Sequence, residues 1–191
     1  MHILLVDNYD SFTYNLAHYL EQFCPRVTVW RNDAFSVSEA APFSHLVISP
    51  GPGLPPENGI TEKLVKTYFH KKPILGICLG CQALAQYAGG SLYPQNEVAH
   101  GIGRTVVKSN SHYLLENLPS TFKVGLYHSW AIAATESLQK HFRIAARREN
   151  GVLMAIEHRY LPVAGIQFHP ESILTENGLP LLQNWWQHTL T

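Results

Sequence analysis

The chain reads Pro73-Ile-Leu-Gly-Ile-Cys-Leu-Gly-Cys-Gln82 at the point where a short apolar strand pattern gives way to a helical one. Cys78 therefore lies in the turn between a buried strand and a helix, with Gly76 and Gly80 two residues to either side. Glycines at both positions let the strand and the helix approach each other without Cβ clashes, and a side chain at so sharp a turn is pushed out of the sheet. The segment predicts a nucleophile elbow with a cysteine at its tip.

Strand and helix patterns alternate through the whole first half of the chain. Apolar runs predict four strands, at His2–Val6, Val27–Trp30, Leu46–Ile48 and Pro73–Ile77. Apolar residues at helical spacing predict three helices, at Phe12–Phe23, Ile60–Tyr68 and Ala83–Ala88. Strands that alternate with helices form a parallel sheet with helices on both faces.

The second half begins with strand-like runs that follow one another directly. These runs predict additional antiparallel strands at Thr105–Val107, Phe122–Tyr127, Phe142–Ala146, Leu153–Ile156 and Val163–Phe168. A last helix, from Leu181 to about His188, carries Trp185 and Trp186, which we expect in the core rather than in a ligand platform. We therefore expect a single α/β domain over residues 1–191, built on an open, mixed and mostly parallel sheet.

The composition is that of an ordinary globular protein. The chain has 191 residues, 46% apolar and 15% charged, and its 14 basic side chains balance 14 acidic ones. This favours one domain and gives no indication of nucleic-acid or membrane binding. The apolar start Met1–Val6 is too short for a signal peptide or a membrane span, and Asp7 follows at once. Because three cysteines cannot build a full disulfide framework, we expect a cytoplasmic protein whose thiols serve packing or chemistry.

Three interpretations fit the elbow. The N-terminal amides and the dipole of the following helix favour the thiolate form of Cys78, which would make it a nucleophile. Cys78 and Cys81 also form a C-x-x-C pair, as in thioredoxin-like redox sites. The third interpretation is a buried structural cysteine in a tight turn. The elbow alone does not separate these alternatives.

A second motif, Gly165-Ile-Gln-Phe-His-Pro-Glu171, supplies a base that a dithiol exchanger does not need. His169 ends a predicted strand, and Pro170 keeps it extended. Extended alternation places His169 and Glu171 on the same side, so the carboxylate can orient the imidazole while the other ring nitrogen faces Cys78. Alone, His-Pro-Glu is typical of a surface turn. Together, the two motifs predict a catalytic triad of Cys78, His169 and Glu171.

Acyl transfer also needs N–H donors for a developing oxyanion. The backbone N–H of Leu79, directly after the nucleophile, is the expected first donor. The second should come from the loop Pro50-Gly-Pro-Gly53, because this loop follows a strand that should neighbour the strand of the nucleophile. Pro52 has no N–H, so Gly51 or Gly53 must donate. The alternative interpretation of this loop is a rigid, proline-braced turn.

These motifs resemble those of class-I, triad-type glutamine amidotransferases, a family with a flavodoxin-like fold. The likeness rests on Gly76-Ile-Cys-Leu-Gly-Cys-Gln82 and His169-Pro-Glu171. Within that class the chain resembles the small subunits of anthranilate synthase and aminodeoxychorismate synthase. The runs that carry this second likeness are Asp7–Asn15, Arg31–Asp33, Ser49–Gly53, Tyr127–Ser129 and Gln167–Ile173.

The resemblance implies a glutaminase that acts on L-glutamine. It implies that Cys78 attacks the side-chain amide, that His169 transfers protons and that Glu171 orients the imidazole. The implied holders of the substrate's α-amino and carboxylate groups are Gln82 and the backbone around Ser129 and Trp130. The implied partner is a large, chorismate-binding synthase component that holds Mg²⁺, while this chain holds no metal or other cofactor. The product, anthranilate or aminodeoxychorismate or both, stays open.

Three positions depart from the family pattern. Cys81 stands where a histidine is common, and Trp130 replaces a frequent leucine beside the substrate. The run His100-Gly-Ile-Gly-Arg104 follows Ala99 and only partly matches the usual Met-His-Gly-Lys. We expect this last loop to lie near the partner.

Three other functions stay open. A dithiol redox protein would require Cys81 as its resolving thiol. A cysteine hydrolase of another amide or ester would share the triad but ignore glutamine. A binding or scaffolding module would keep the fold and tolerate Cys78→Ala.

Overall fold

The structure, a computed structural model, describes residues 1–95, 100–109 and 112–190. Its strands, in chain order, are β1 (Ile3–Asp7), β2 (Val27–Arg31), β3 (His45–Ile48), β4 (Ile74–Ile77), β5 (Ser91–Pro94), β6 (Ile102–Lys108), β7 (Thr121–Leu126), β8 (Trp130–Ala133), β9 (Phe142–Arg148), β10 (Leu153–His158) and β11 (Val163–Ile166). Its α-helices are α1 (Thr13–Glu21), α2 (Thr61–Tyr68), α3 (Leu79–Tyr87), α4 (Glu136–His141) and α5 (Gly178–His188). In the described ranges, none of the helices combines the length and the apolar character needed to cross a membrane.

Nine of the described strands form one sheet, in the order β2-β1-β3-β4-β11-β10-β9-β6-β7. The pairings from β2 to β11 are parallel. The pairings from β11 to β7 are antiparallel. Because each antiparallel pairing reverses the direction, β10 and β6 run against all the other strands of the sheet. This confirms the predicted open, mixed and mostly parallel sheet.

Helices bury an apolar layer on each face of the sheet. On one face, α1 and α5 pack through residues such as Leu16 and Trp185. On the other, α2 and α3 pack through Leu64 and Leu84. Trp185 is fully buried and Trp186 is 5% exposed, so both tryptophans serve the core as predicted. The single α/β domain expected from the alternating patterns therefore has a core on both sides of the sheet.

Three of these strands and α-helices, β5, β8 and α4, are not among the elements predicted from the sequence. β5 and β8 pair with each other in a separate two-stranded sheet. β5 is largely exposed and lacks the apolar alternation that identifies a half-buried strand. The third is α4, a six-residue helix that buries only Leu138 and lies in the stretch where the sequence predicts strand-like runs. Its N-cap is Thr135, whose hydroxyl accepts a hydrogen bond from the N–H of Leu138 at 3.1 Å, and a threonine in this position is a helix-start signal in the sequence.

The predicted strand Val163–Phe168 ends early, at Ile166. The N–H of Gln167 donates to a carbonyl of β10 at 2.8 Å, and the N–H of His169 donates to a carbonyl of β7 at 3.1 Å. The chain therefore leaves the ladder with β4 and crosses over the end of the sheet. His169 lies in this crossing segment rather than at the end of a strand.

The turn after β4 is tightly packed. A Cβ atom on Gly76 would lie 2.4 Å from the backbone of Gly80, and one on Gly80 would lie 2.5 Å from the carbonyl oxygen of Ile48. No side chain fits in either place. The two glycines therefore bring α3 directly over β3 and β4, as the elbow pattern predicts.

Candidate active site

A cavity of about 620 Å³ lies at the carboxyl ends of the parallel strands. Most of the predicted site residues line it together, namely Cys78, His169, Gln82, Gly51, Gly53, Ser129 and Trp130. Two predicted residues do not line it. The side chain of Leu79 is buried in the core, and Glu171 is buried behind His169. For Leu79 only the backbone was expected to act, so its burial leaves that role intact.

Cys78 has the strained backbone expected of an elbow. Its φ is 50° and its ψ is −102°, an arrangement that costs on the order of 1–3 kcal/mol for a residue with a side chain. The N–H of Cys78 donates to the carbonyl of Ile166 at 2.7 Å, and its carbonyl accepts from the N–H of Gln82 at 3.0 Å. These bonds hold the residue in place from both sides. Leu79 is the first residue of α3, so its N–H has no acceptor within the helix.

His169 and Glu171 form a buried pair. Nδ1 of His169 lies 2.7 Å from Oε1 of Glu171, and both side chains are almost fully buried. Burial by itself would lower the pKa of His169, but its interactions with Cys78 and Glu171 outweigh burial and raise the pKa well above its ordinary value. Nε2 of His169 is buried and makes no standard hydrogen bond to any described residue. It is therefore available to exchange a proton with the sulfur or with a substrate.

Asp10 is a third titratable group at this point, and no role was predicted for it from the sequence. Ligand atoms of Asp10, His169 and Glu171 all lie within 4.8 Å of one another. Burial raises the pKa of Asp10, which a hydrogen bond from the N–H of Phe12 at 2.8 Å partly offsets. Such a set of donors could hold a divalent cation. Because Glu171 already accepts the hydrogen bond of His169, we interpret the cluster as part of the proton-transfer group.

Two buried asparagines fix the loop Pro50–Leu54. Nδ2 of Asn58 donates to two carbonyl oxygens of this loop, at 2.9 and 2.8 Å. Asn8 packs so closely beneath it that a Cβ on Gly51 would lie 2.6 Å from the Cβ of Asn8. β3, which leads into the loop, pairs with β4 as predicted. Both Gly51 and Gly53 line the cavity, so the second oxyanion donor stays a choice between them.

Both side-chain N–H groups of Gln82 donate hydrogen bonds within the protein. Its Nε2 donates to the carbonyl of Trp130 at 3.1 Å and to Oε1 of Gln167 at 3.3 Å. Only its Oε1 can therefore serve a ligand. The carbonyl of Ser129 accepts from the N–H of Gln95 at 2.8 Å, which fixes the backbone at the cavity wall.

His128 is a further cavity residue without a predicted role. Burial lowers its pKa to about 4, so the ring is neutral at physiological pH. Its Nδ1 lies 2.7 Å from the carbonyl of Trp130, and its buried Nε2 has no hydrogen-bond partner among the described residues. A sequence signal for it existed, because it lies within the run Tyr127–Ser129 that carries part of the family likeness.

Cys81 faces away from the cavity. Its Sγ packs against Gly165 of β11, where a Cβ would lie only 2.6 Å away. Burial, with a further contribution from Cys78, raises the pKa of the Cys81 thiol well above its ordinary value. A fully buried, protonated thiol is a poor resolving group. This placement argues against the dithiol redox alternative.

The sequence matches the family described as glutamine amidotransferase class-I over residues 4–188. The chain belongs to this family. The resemblance and the fold predicted from the sequence are thereby confirmed.

Individual relatives of this amidotransferase include two curated proteins and one solved structure. It is 42% identical to anthranilate synthase component 2 of Mycobacterium tuberculosis over 190 residues, which cover 97% of this chain and 81% of the relative. It is 40% identical to aminodeoxychorismate/anthranilate synthase component 2 of Bacillus subtilis over 185 residues, which cover 96% and 94%. A crystal structure from Thermoplasma acidophilum, described as a GMP synthase protein, superposes with a TM-score of 0.88 at 27% identity and covers 100% of this chain and 94% of its own.

The three departures from the family pattern lie at different depths of the amidotransferase. Cys81 is buried behind the elbow, and Trp130 is half-buried in the cavity wall. His100 also lines the cavity, with its ring centroid 5.5 Å from that of Tyr127. Ala99 lies outside the described residues. Only His100 and Gly101 of the run His100–Arg104 lie in a loop, because β6 begins at Ile102. The expectation that this run lies near a partner stays a prediction.

Proposed function

We propose that this amidotransferase hydrolyses the side-chain amide of L-glutamine through a thioester on Cys78 and passes the ammonia to a separate chorismate-using synthase subunit. The observation that carries the proposal is the buried His169–Glu171 pair, whose His169 lines the same cavity as the strained Cys78. A nucleophile, a base and an orienting carboxylate in this order form a catalytic triad.

The first half-reaction transfers the acyl group to sulfur. Cys78 passes its thiol proton to Nε2 of His169, its Sγ attacks the side-chain carbonyl carbon of glutamine, and the carbonyl oxygen becomes an oxyanion. The N–H of Leu79 stabilises this oxyanion together with the N–H of Gly51 or Gly53. His169 gives a proton to the amide nitrogen, the carbon–nitrogen bond breaks and ammonia leaves.

The second half-reaction releases glutamate. His169, now neutral, takes a proton from a water molecule, which attacks the thioester carbon. The carbon–sulfur bond breaks, and Cys78 leaves as the thiolate. Throughout both steps Glu171 keeps Nδ1 protonated and the ring oriented.

The α-carbon end of glutamine binds at the opposite wall. Because the N–H groups of Gln82 are engaged, its Oε1 is the group that accepts from the substrate's α-ammonium. The backbone around Ser129 and Trp130 holds the α-carboxylate. A substrate held at both ends places its amide at the sulfur.

The names of the relatives support a two-component assembly, since both are component 2 of a synthase. The partner in our proposal is a large, chorismate-binding synthase component with Mg²⁺ as its cofactor. The steps above need no metal or other cofactor in this chain, whose residues 1–191 form one amidotransferase domain. We place the assembly in the cytoplasm.

An assembled complex carrying Cys78→Ser tests the division of labour. Synthesis from chorismate and glutamine should fall to background, while synthesis from chorismate and added ammonium salt should stay near the wild-type rate. A matched complex with Cys81→Ser should keep both activities. If ammonium fails to support synthesis by the assembled Cys78→Ser complex, ammonia delivery is not the role of this chain.

The same assay decides the pathway. Identification of the product of the wild-type complex separates anthranilate from aminodeoxychorismate, and a mixture would mean that the chain serves both synthases. Failure of glutamine to be consumed at all would favour a hydrolase of another amide or ester.

A further inference from the structure

Gln167 lies between the nucleophile and the substrate-holding wall. It directly follows β11, and its side chain is fully buried. Its Nε2 lies 3.6 Å from Sγ of Cys78, and its Oε1 accepts from Nε2 of Gln82 at 3.3 Å. The same Gln82 nitrogen donates to the backbone carbonyl of Trp130. An unbroken chain of hydrogen bonds therefore runs from Trp130 to the sulfur.

The direction of this chain is fixed at one end. A backbone carbonyl can only accept hydrogen bonds, so Gln82 must present its NH₂ group to Trp130. The same NH₂ group of Gln82 donates to Gln167, so Gln167 must accept through its Oε1. The NH₂ group of Gln167 is thereby turned towards Cys78. Neither amide can flip without losing a buried hydrogen bond, and each such loss is costly.

A sulfur that carries negative charge accepts an N–H hydrogen bond more strongly than a neutral one. The buried position of Gln167 strengthens this preference, because water does not compete there. The amide therefore favours one sulfur position and the charged form of the nucleophile.

We propose that Gln167 is a positioning residue for the nucleophile, and that Gln82 links it to the backbone that holds the α-carbon end of the substrate. This inference rests on the proposed glutaminase function. It adds a connection between the two ends of the site, since a ligand that orders the backbone at Trp130 also orders the amide that contacts the sulfur.

The pH dependence of alkylation by iodoacetamide tests this inference on the full-length chain. Gln167→Met keeps the length of the side chain and removes the donor, so alkylation of Cys78 at neutral pH should slow about 10-fold and the midpoint of the rate profile should move to higher pH. Gln167→Glu keeps the acceptor for Gln82 but places a carboxylate beside the sulfur, and should shift the midpoint further in the same direction. Gln82→Met should give a smaller shift.

Gln86→Met is the matched control, because Gln86 lies one turn further along α3 and does not line the cavity. Its alkylation profile should match that of the wild type. If Gln167→Met does not fold by circular dichroism, Gln167→Glu provides the same readout. An unchanged midpoint in a folded Gln167 variant overturns the inference.

Turnover provides a second readout. With glutamine as substrate, Gln167→Met should lower kcat more than it raises KM, because the amide contacts the nucleophile and not the substrate. Iodoacetamide needs neither glutamine nor a partner. If the midpoint of the alkylation profile shifts in Gln167→Met as expected but the wild-type protein shows no glutaminase activity, the proposed function alone is rejected. If the wild-type protein is a fully active glutaminase but the midpoint does not shift, only the role of Gln167 is rejected.

Discussion

Nδ1 of His169 and Oε1 of Glu171 lie 2.7 Å apart at a point where both side chains are almost completely buried. A carboxylate in this position fixes the proton on Nδ1 and stabilises the positive charge of the ring, which agrees with the raised pKa of His169. Glu171 therefore contributes in two ways, by orienting the His169 ring and by stabilising its charge. Substitutions can test these two contributions one at a time.

Replacement of Glu171 by glutamine should weaken catalysis less than removal of the base. Glu171→Gln keeps an oxygen that can accept from Nδ1 but removes the negative charge, whereas His169→Ala removes proton transfer and should lower kcat by about 10²–10⁴-fold. Glutamine turnover at saturating substrate measures both effects. Circular dichroism of both variants provides the control for folding. Equal losses of activity accompanied by loss of structure would mean that the pair is a structural contact.

A glutamine-like chloroketone should label Cys78 ahead of the other two cysteines. Cys24 and Cys81 are fully buried, and the raised pKa of Cys81 keeps its thiol protonated. Glutamine should protect Cys78, and mass spectrometry of the modified peptide identifies the site. Cys81→Ser serves as the control and should keep most of the glutaminase activity. Preferential labelling of Cys81 would refute the assignment of the nucleophile.

The local pattern around the nucleophile could be predicted because its constraints are local. The strand and helix backbones approach each other so closely at Gly76 and Gly80 that neither position has room for a side chain. Both glycines lie within two residues of Cys78, so the sequence shows this requirement without knowledge of the fold. Alternation in an extended segment predicts the pairing of His169 with Glu171, but the structure brings the two together through a turn, in which the N–H of Ser172 donates to the carbonyl of His169 at 3.3 Å. The same alternation places Gln167 on that side, so the signal for Gln167 was present in the sequence and was not used.

Contacts between distant segments could not be derived in this way. The hydrogen bonds from Asn58 to the loop Pro50–Leu54 cannot be predicted without knowing the path of the chain between them. The hydrogen bond from Gln82 to Gln167 joins residues that are 85 positions apart. Polar residues at such sites look like ordinary turn formers in the sequence. β5 was missed for another reason, since an exposed strand carries no apolar periodicity.

Stability should fall as the pH drops from about 6.5 to about 4, and His45 should cause part of the loss. Burial, followed by the N-terminal charge and Lys72, lowers the pKa of His45 to about 4. The unfolded chain binds the proton near pH 6.5, before the folded chain does, so acid favours unfolding by at most about 3 kcal/mol at this group.

His45→Gln isolates this contribution. Glutamine can replace the hydrogen bonds that His45 makes with the hydroxyl groups of Ser44 and Thr189 at 2.8 and 3.0 Å, but it does not titrate. Urea unfolding at several pH values measures the difference between the two chains. The variant should lose less stability than the wild type between pH 6.5 and 4, and parallel curves would contradict the assignment.

Gly51→Ala should disable the oxyanion loop without unfolding the protein. The new Cβ would lie 2.6 Å from the Cβ of Asn8 and 2.7 Å from its carbonyl oxygen, and neither atom belongs to a flexible side-chain end. The loop must therefore shift, and loss of one oxyanion donor lowers kcat by about 10²–10³-fold. Gly103→Ala is the control, since a Cβ there meets no atom of the described residues within 4 Å. Glutamine turnover by the isolated chains compares the two, and wild-type turnover in Gly51→Ala would show that the geometry of this loop does not control the reaction.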